Sequence, residues 1–263
     1  TNRALSAPIN IWGDHSDAMA VRDSGWIQLF CESSQEAYDT TIQAFKIAEK
    51  MSLPVMVNVD GFSLSHVWEP IDFIDNLKGF LNDYKAEYKL DPEKPVTMGA
   101  IAFPNSYMEI KEEQHNAMND SLKFIKEVND DFNKRFGRKY GNGLVEEYKV
   151  KDADKVIVAM GSTCGTIRTV VDELRKKGEK VGMLKLKSFR PLPRYEIFKS
   201  LNNVKEVKVF DRAISFGNAG PLYTEIKDCL AREVQGFIVG LGGRDITREH
   251  IKKAFDIKGG WLR

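Results

Sequence analysis

The chain has 263 residues, and at roughly 100–200 residues per domain this length suggests one large domain or two ordinary ones. Hydrophobic residues make up 42% and charged residues 29%, which excludes a disordered or collagen-like chain. Lys and Arg number 39 against 38 for Asp and Glu, so the net charge of +1 gives no overall field to attract nucleic acid. Because the sequence has neither an apolar run near the ~20 residues of a membrane span nor a signal-peptide pattern, we expect a cytoplasmic protein without membrane partners.

The first clear pattern predicts a strand–helix–strand unit. Residues 26–30 form a short apolar and aromatic run that suits a strand. Ser33 and Glu36 then have the spacing of a capping box, and apolar residues recur at helical spacing up to about Lys50. Residues 55–60 are continuously β-favouring, as expected for a strand buried on both faces of a parallel sheet.

The pattern loosens after this unit. Prolines interrupt residues 61–108, which we interpret as an insertion with one short helix near residues 72–84. A long helix is predicted from about residue 109 to residue 136, with Gly137 ending it. The basic, glycine-rich stretch that follows predicts a domain boundary near residue 143, dividing the chain into domains 1–142 and 143–263.

The second half alternates strands and helices. Buried strands are predicted at four places, each followed by a helix. This order is typical of a parallel, doubly wound α/β domain. The predicted strands are residues 156–160, 181–186, 204–210 and 237–241.

Two glycine-rich turns follow strands in this half. Residues 161–166 open a helix, so their N–H and hydroxyl groups could receive a phosphate or carboxylate, but helix capping is the favoured interpretation. Residues 240–245 are favoured as a structural turn. Neither turn has the complete dinucleotide-binding fingerprint, which disfavours a nicotinamide-binding protein.

Residues 13–17 bring Asp14, His15 and Asp17 close together, a combination compatible with a metal, a general base or a mobile loop. We favour a loop whose Asp side chains make local backbone hydrogen bonds, because adjacent residues rarely converge on one metal. By itself, Arg3 would be interpreted as a solvated surface arginine.

The three cysteines, Cys31, Cys164 and Cys229, are far apart in the sequence. They lack the Cys-x-x-Cys spacing of a zinc or iron–sulfur site. We therefore expect reduced, mostly buried thiols and no metal site on this chain.

Taken together, several long motifs resemble the α subunits of the pyruvate:ferredoxin oxidoreductase (pyruvate synthase) family. The resemblance runs nearly end to end, although relatives acting on branched-chain 2-oxoacids share most of it. The motifs are TNRALSAPINI at 1–11, GDHSD at 13–17, RDSGWIQ at 22–28, QEA at 35–37, LPVMV at 53–57, DGF at 60–62, SH at 65–66, SFG at 215–217 and GLGGRD at 240–245.

The resemblance implies an oxidative decarboxylation of pyruvate with coenzyme A to acetyl-CoA and CO₂, reversible, with electrons passing through [4Fe-4S] clusters to ferredoxin. It implies thiamine diphosphate with Mg²⁺ as the reacting cofactor, held mainly by partner subunits of the β, γ and δ type or by a segment preceding Thr1. It also implies the C-terminal portion of a thiamine-binding pyrimidine-type domain, followed by a transketolase C-terminal-like domain whose role is mainly architectural and interfacial.

For individual residues, the resemblance implies that Arg3 faces the substrate carboxylate, for which a planar guanidinium is well suited. It makes Asp14, His15 and Asp17 a possible active-site or coenzyme A-facing loop. Family α subunits begin upstream of this motif, so we expect the 263-residue chain alone to be inactive. Two alternatives stay open, which are the same chemistry on 2-oxoisovalerate or another 2-oxoacid, and a non-catalytic α/β scaffold subunit.

Overall fold

The computed structural model describes residues 1–86, 88–99 and 101–263. The two remaining residues, Glu87 and Ala100, belong to the predicted insertion and lie outside the described residues. In chain order the elements are α1 (Ser16–Ala20), β1 (Ile27–Phe30), α2 (Ser34–Met51), β2 (Val55–Asn58), α3 (Tyr107–Phe136), β3 (Val145–Tyr148), β4 (Lys155–Ala159), α4 (Thr163–Lys176), β5 (Val181–Leu186), β6 (Ser188–Arg190), α5 (Arg194–Leu201), β7 (Glu206–Asp211), α6 (Pro221–Leu230), β8 (Gln235–Ile238), α7 (Arg248–Asp256) and β9 (Gly260–Trp261).

The predicted strand–helix–strand unit is present, and β1 and β2 pair in parallel. Ser33 caps α2, since its side chain accepts the Glu36 N–H. The reciprocal half of the predicted capping box is wrong, because the Glu36 carboxylate accepts the Glu32 N–H instead. β2 is only half-buried along most of its length and is the outer strand of its sheet, so burial on both faces is also wrong.

Among the described residues the strands form two sheets, with orders β2-β1-β6 and β3-β5-β4-β7-β8-β9. The four predicted strands are the parallel centre of the larger sheet, as expected for a doubly wound α/β fold. Three strands were not predicted. β3 is an antiparallel edge and β9 a two-residue edge of the larger sheet, whereas β6 pairs antiparallel with β1 in the smaller one.

The predicted short helix at residues 72–84 is wrong, because the structure has turns and isolated bridges there. This segment is held by tertiary packing instead. Phe80 is only 1% exposed, and its ring packs edge-on at 5.3 Å from Phe132 and 5.6 Å from Phe136, centroid to centroid. The two partners lie in the last turns of α3, which ends at Gly137 as predicted, with φ at +71°. One aromatic anchor therefore ties the irregular segment to the long helix.

A buried ionic cluster joins α2 to the larger sheet. The Glu36 carboxylate accepts hydrogen bonds from Lys185 at 2.6 Å and from Lys187 at 2.9 Å, and all three side chains are buried. Lys187 also donates to Thr40 at 2.7 Å. Burial would raise the pKa of Glu36, but the two ammonium groups outweigh burial and lower it to about 2.

We expect the Phe80→Ala variant to lose about 3–5 kcal/mol of unfolding free energy, because it leaves a cavity between α3 and the irregular segment. Phe103→Ala is the matched control, since that ring is 66% exposed in the same region. Urea unfolding followed by circular dichroism measures both. Equal midpoints for the two variants would show that the Phe80 anchor contributes nothing to stability.

We also expect stability to fall as the pH drops from about 4.5 towards about 2, because the folded state keeps Glu36 ionised in a range where the unfolded chain binds the proton. The shift corresponds to about 3 kcal/mol that is fully present above pH 4.5. Glu36→Gln should weaken this dependence and lower stability at neutral pH, whereas Glu113→Gln, at an exposed position, should leave the wild-type profile. Unfolding midpoints between pH 2 and pH 7 test this expectation, and a Glu36→Gln profile parallel to wild type would contradict it.

Candidate functional site

A buried carboxylate lies where the two sheets meet. Asp60 follows the end of β2 and is 1% exposed. It binds the His15 Nε2 at 2.7 Å, the Arg212 Nη1 at 2.6 Å and the Ser162 N–H at 2.8 Å, and it also accepts the Ser162 hydroxyl. Ser162 follows β4 and Arg212 follows β7, so both come from the carboxyl ends of parallel strands. The cluster thus joins the first part of the chain to the second.

The charges at this cluster keep Asp60 ionised. Burial would raise the pKa of the carboxyl, but the neighbouring His15 and Arg212, together with the Ser162 hydroxyl, hold it well below its usual range. With the carboxylate ionised, the His15 Nε2 donates the proton in their hydrogen bond.

The predicted capping role of the 161–166 turn is wrong in detail. The Ser162 side chain makes no capping hydrogen bond to α4. Its N–H and hydroxyl instead receive a carboxylate near the positive end of the helix, which was the alternative, and the carboxylate is that of Asp60 from the same chain. The turn at 240–245 contains a short 3-10 helix at Leu241–Gly243, and its interpretation as a structural turn stays a prediction.

The loop at residues 13–17 is held in place by the second half of the chain. The His15 N–H donates to the Arg212 carbonyl at 2.8 Å, and the Arg212 guanidinium donates to the Gly13 carbonyl at 2.8 Å. The Gly242 N–H donates to the Asp14 carboxylate at 2.9 Å. Asp14 and His15 are therefore both buried within the protein, at 2% exposure each.

The segment that carries Arg3 extends alongside the end of β2. The Asn2 N–H donates to the Val59 carbonyl at 2.8 Å, and the Gly61 N–H donates to the Asn2 carbonyl at 2.9 Å. The Arg3 N–H donates to the Asp17 carboxylate at 3.0 Å. The Arg3 side chain itself is exposed, and no described carboxylate pairs with its guanidinium.

The structure thus brings the four predicted site residues into one region, but in different environments. Arg3 faces solvent, Asp17 is half-buried beside it, and Asp14 and His15 are buried behind the loop. Across residues 1–86, 88–99 and 101–263, no group of three or more His, Cys, Asp or Glu side chains is placed to hold a metal ion.

Sequence reasoning missed Asp60, Ser162 and Arg212 as a unit. The available signal was position, since all three lie within three residues of a strand end and the carboxyl ends of parallel strands are where α/β folds place functional groups. Their convergence also requires knowing how the two sheets meet, which no local pattern contains.

Comparison with known families shows to which family the chain belongs. Residues 1–130 match the model described as pyruvate flavodoxin/ferredoxin oxidoreductase, thiamine diP-bdg, and residues 153–251 match pyruvate:ferredoxin oxidoreductase core domain II. The chain is 52% identical over 265 residues to the pyruvate synthase subunit PorA of Thermotoga maritima, covering 97% of this chain and 67% of that protein. The chain belongs to the pyruvate:ferredoxin oxidoreductase family.

Two further members of the pyruvate:ferredoxin oxidoreductase family are also similar to this chain over most of its length. The chain is 48% identical to the pyruvate synthase subunit PorA of Methanocaldococcus jannaschii, covering 95% of this chain and 66% of that protein. It is 41% identical to the ketoisovalerate oxidoreductase subunit VorA of Pyrococcus abyssi, covering 95% of this chain and 65% of that protein. The chain therefore spans about two thirds of the length of the curated relatives it matches.

A solved structure supports the fold assignment. The 2-oxoglutarate:ferredoxin oxidoreductase from Magnetococcus marinus, with 2-oxoglutarate, coenzyme A and succinyl-CoA bound, superposes with a TM-score of 0.65 at 20% identity. The match covers 97% of this chain and 47% of that one. The α/β fold is thus shared with a 2-oxoacid:ferredoxin oxidoreductase.

We expect Asp60→Asn to lower the unfolding free energy by about 3–5 kcal/mol, because it leaves the buried Arg212 guanidinium without its counter-charge. Asp75→Asn, at an exposed position, is the matched control. Chemical unfolding of both variants at neutral pH provides the measurement. A wild-type midpoint for Asp60→Asn would mean that the cluster does not hold the two sheets together.

Proposed function

We propose that this chain forms part of a pyruvate:ferredoxin oxidoreductase and supplies the group that binds the substrate carboxylate. The assembled enzyme would convert pyruvate and coenzyme A to acetyl-CoA, CO₂ and a proton, passing two electrons to ferredoxin, and would also run in reverse. Curated relatives named as pyruvate synthase subunits, at 41–52% identity, support pyruvate as the substrate.

The exposed Arg3 guanidinium carries the proposal. It is a permanent cation with planar paired donors, the geometry that grips a carboxylate in one orientation. Its backbone is fixed by hydrogen bonds while its side chain is free of ion pairs to the described residues. Arg3 can therefore hold the carboxylate of a 2-oxoacid without first breaking an internal salt bridge.

The cofactors and partners belong to the assembled enzyme. Thiamine diphosphate would supply the electron sink for loss of CO₂. Because the chain spans about two thirds of the length of its relatives, we propose that other subunits, or chain beyond these 263 residues, hold the diphosphate with its Mg²⁺ and the [4Fe-4S] clusters. The isolated chain would then be inactive.

The partners would be β-, γ- and δ-type subunits, with ferredoxin and coenzyme A bound by the complex.

Among the described residues, none of the helices combines the length and the apolar character that crossing a membrane requires. A cytoplasmic location is proposed from the three free thiols, Cys31, Cys164 and Cys229, which suit a reducing compartment. The predicted division into domains 1–142 and 143–263 also remains a proposal.

A second substrate is supported by a specific relative. The 41% identity to a ketoisovalerate oxidoreductase subunit favours 2-oxoisovalerate as the alternative. Every 2-oxoacid has the carboxylate that Arg3 would bind, so this residue alone does not choose between them. Comparing ferredoxin reduction by the assembled enzyme with pyruvate and with 2-oxoisovalerate separates the two.

We expect Arg3→Ala in the assembled enzyme to lower kcat/KM for pyruvate. The corresponding loss of transition-state stabilisation should be roughly 2–5 kcal/mol, the cost of leaving a carboxylate unpaired in the site. Arg248→Ala is the matched control, because that arginine is 58% exposed and pairs with Glu173 between α7 and α4. Steady-state reduction of ferredoxin measures both. Wild-type kinetics for Arg3→Ala would remove it from the substrate site.

A further inference from the structure

Asp17 is a half-buried carboxylate on the short helix α1, and both of its oxygens accept hydrogen bonds. Its Oδ2 accepts the Arg3 N–H at 3.0 Å. Its Oδ1 accepts the Asn2 Nδ2 at 3.0 Å and the Ala18 N–H at 2.7 Å. Both oxygens are thus used by N–H donors, two of which belong to the segment that carries the proposed substrate-binding arginine.

These bonds complete the fixation of the Arg3 backbone. On one side of Arg3, Asn2 is held by backbone hydrogen bonds to the extension of β2. On the other side, the Ala4 N–H donates to the Trp12 carbonyl at 3.0 Å. The Arg3 N–H is the donor between them, and Asp17 is its acceptor. The N–H groups of Asn2, Arg3 and Ala4 are thus all hydrogen-bonded, whereas the Arg3 side chain is exposed.

The second carboxylate oxygen reinforces the same geometry through Asn2. The Asn2 Nδ2 that donates to Asp17 also donates to the Asn58 Oδ1 at 3.0 Å, so it links the loop to the end of β2. Asn2 and Asn58 are 4% and 2% exposed. Water therefore competes weakly for these bonds, and the link has a defined geometry.

The position of Asp17 is itself set by the second half of the chain. Asp17 lies in the first turn of α1, directly after the loop that Arg212 and Gly242 hold. A displacement of this loop would carry Asp17 with it, and then the Arg3 backbone. The line of contacts runs from the larger sheet to the proposed carboxylate-binding residue.

We propose that Asp17 is a positioning residue for Arg3, fixing its backbone so that the guanidinium meets the substrate carboxylate in one orientation. The proposal rests on the proposed function. Asp17 binds the Arg3 N–H and leaves the guanidinium unneutralised, so it can orient the arginine without competing with substrate. A carboxylate is required because three N–H donors need two acceptor oxygens, and an amide offers only one.

Asp17→Asn tests this requirement with almost no change in volume. In the variant an NH₂ group must face at least one of the three N–H donors, which loosens the Arg3 segment. Asp23→Asn is the matched control, since that carboxyl follows α1 closely in sequence and is 74% exposed. All variants are measured in the assembled enzyme, with pyruvate-dependent reduction of ferredoxin as the activity.

We expect Asp17→Asn to raise KM for pyruvate by about 10-fold or more, on the scale by which small misplacements of a binding group weaken catalysis, with a smaller change in kcat. KM for coenzyme A should stay at the wild-type value. In an Arg3→Ala background, Asp17→Asn should lower kcat/KM for pyruvate little further, because the residue being positioned is gone.

The outcomes separate this inference from the proposed function. No pyruvate-dependent activity in the wild-type assembly, or wild-type kinetics for Arg3→Ala, would overturn the proposed function. A damaging Arg3→Ala with wild-type kinetics for Asp17→Asn would overturn the positioning role alone. An equal loss from Asp17→Asn with and without Arg3 would also overturn it, because a purely structural role gives additive effects. If Asp17→Asn does not assemble, Asn2→Ser removes one donor to Asp17 and is analysed in the same cycle.

Discussion

The structure depends on the burial of one charge. An ionised carboxylate removed from water is costly unless it is paired and fully hydrogen-bonded, and Asp60 meets that condition only where His15, Ser162 and Arg212 converge. These partners come from the N-terminal segment and from two strand ends of the larger sheet. Satisfying one ion therefore brings together parts of the chain that are distant in sequence.

A second joint has the same character. Lys185 near the end of β5 and Lys187 just after it neutralise Glu36 on α2, and Lys187 also donates to Thr40. Removing one partner from such a buried ion pair is strongly destabilising, because the other charge is left buried and unpaired. The intact pair adds little net stability. They specify which surfaces meet, whereas the apolar clusters on either side supply most of the burial energy.

The local patterns of the sequence predicted the elements whose cause is local. α2 begins after its Ser33 cap, α3 ends at Gly137, and the parallel core of the larger sheet follows its apolar runs. The helix predicted at residues 72–84 does not form. Phe80 packs against Phe132 and Phe136 of α3 and is not part of an apolar helix face. β6 was missed because its three residues are defined by pairing with β1, which only the tertiary fold supplies. The 13–17 loop was a candidate from its residue types and Arg3 from the family resemblance, but the contact that links them, Asp17 to the Arg3 N–H, is created only by the tertiary fold.

The outer position of β2 has a practical consequence for handling the protein. In the described structure β2 pairs with β1 on one side only, and beside it lies an apolar groove lined by Thr41, Ala44, Phe45, Ala48, Val55 and Val57. An open strand edge next to apolar side chains is a template for edge-to-edge association with other chains. Purified by itself and concentrated, the chain should therefore be prone to self-association through this edge, and co-expression with the partner subunits proposed above is the better route to a homogeneous sample.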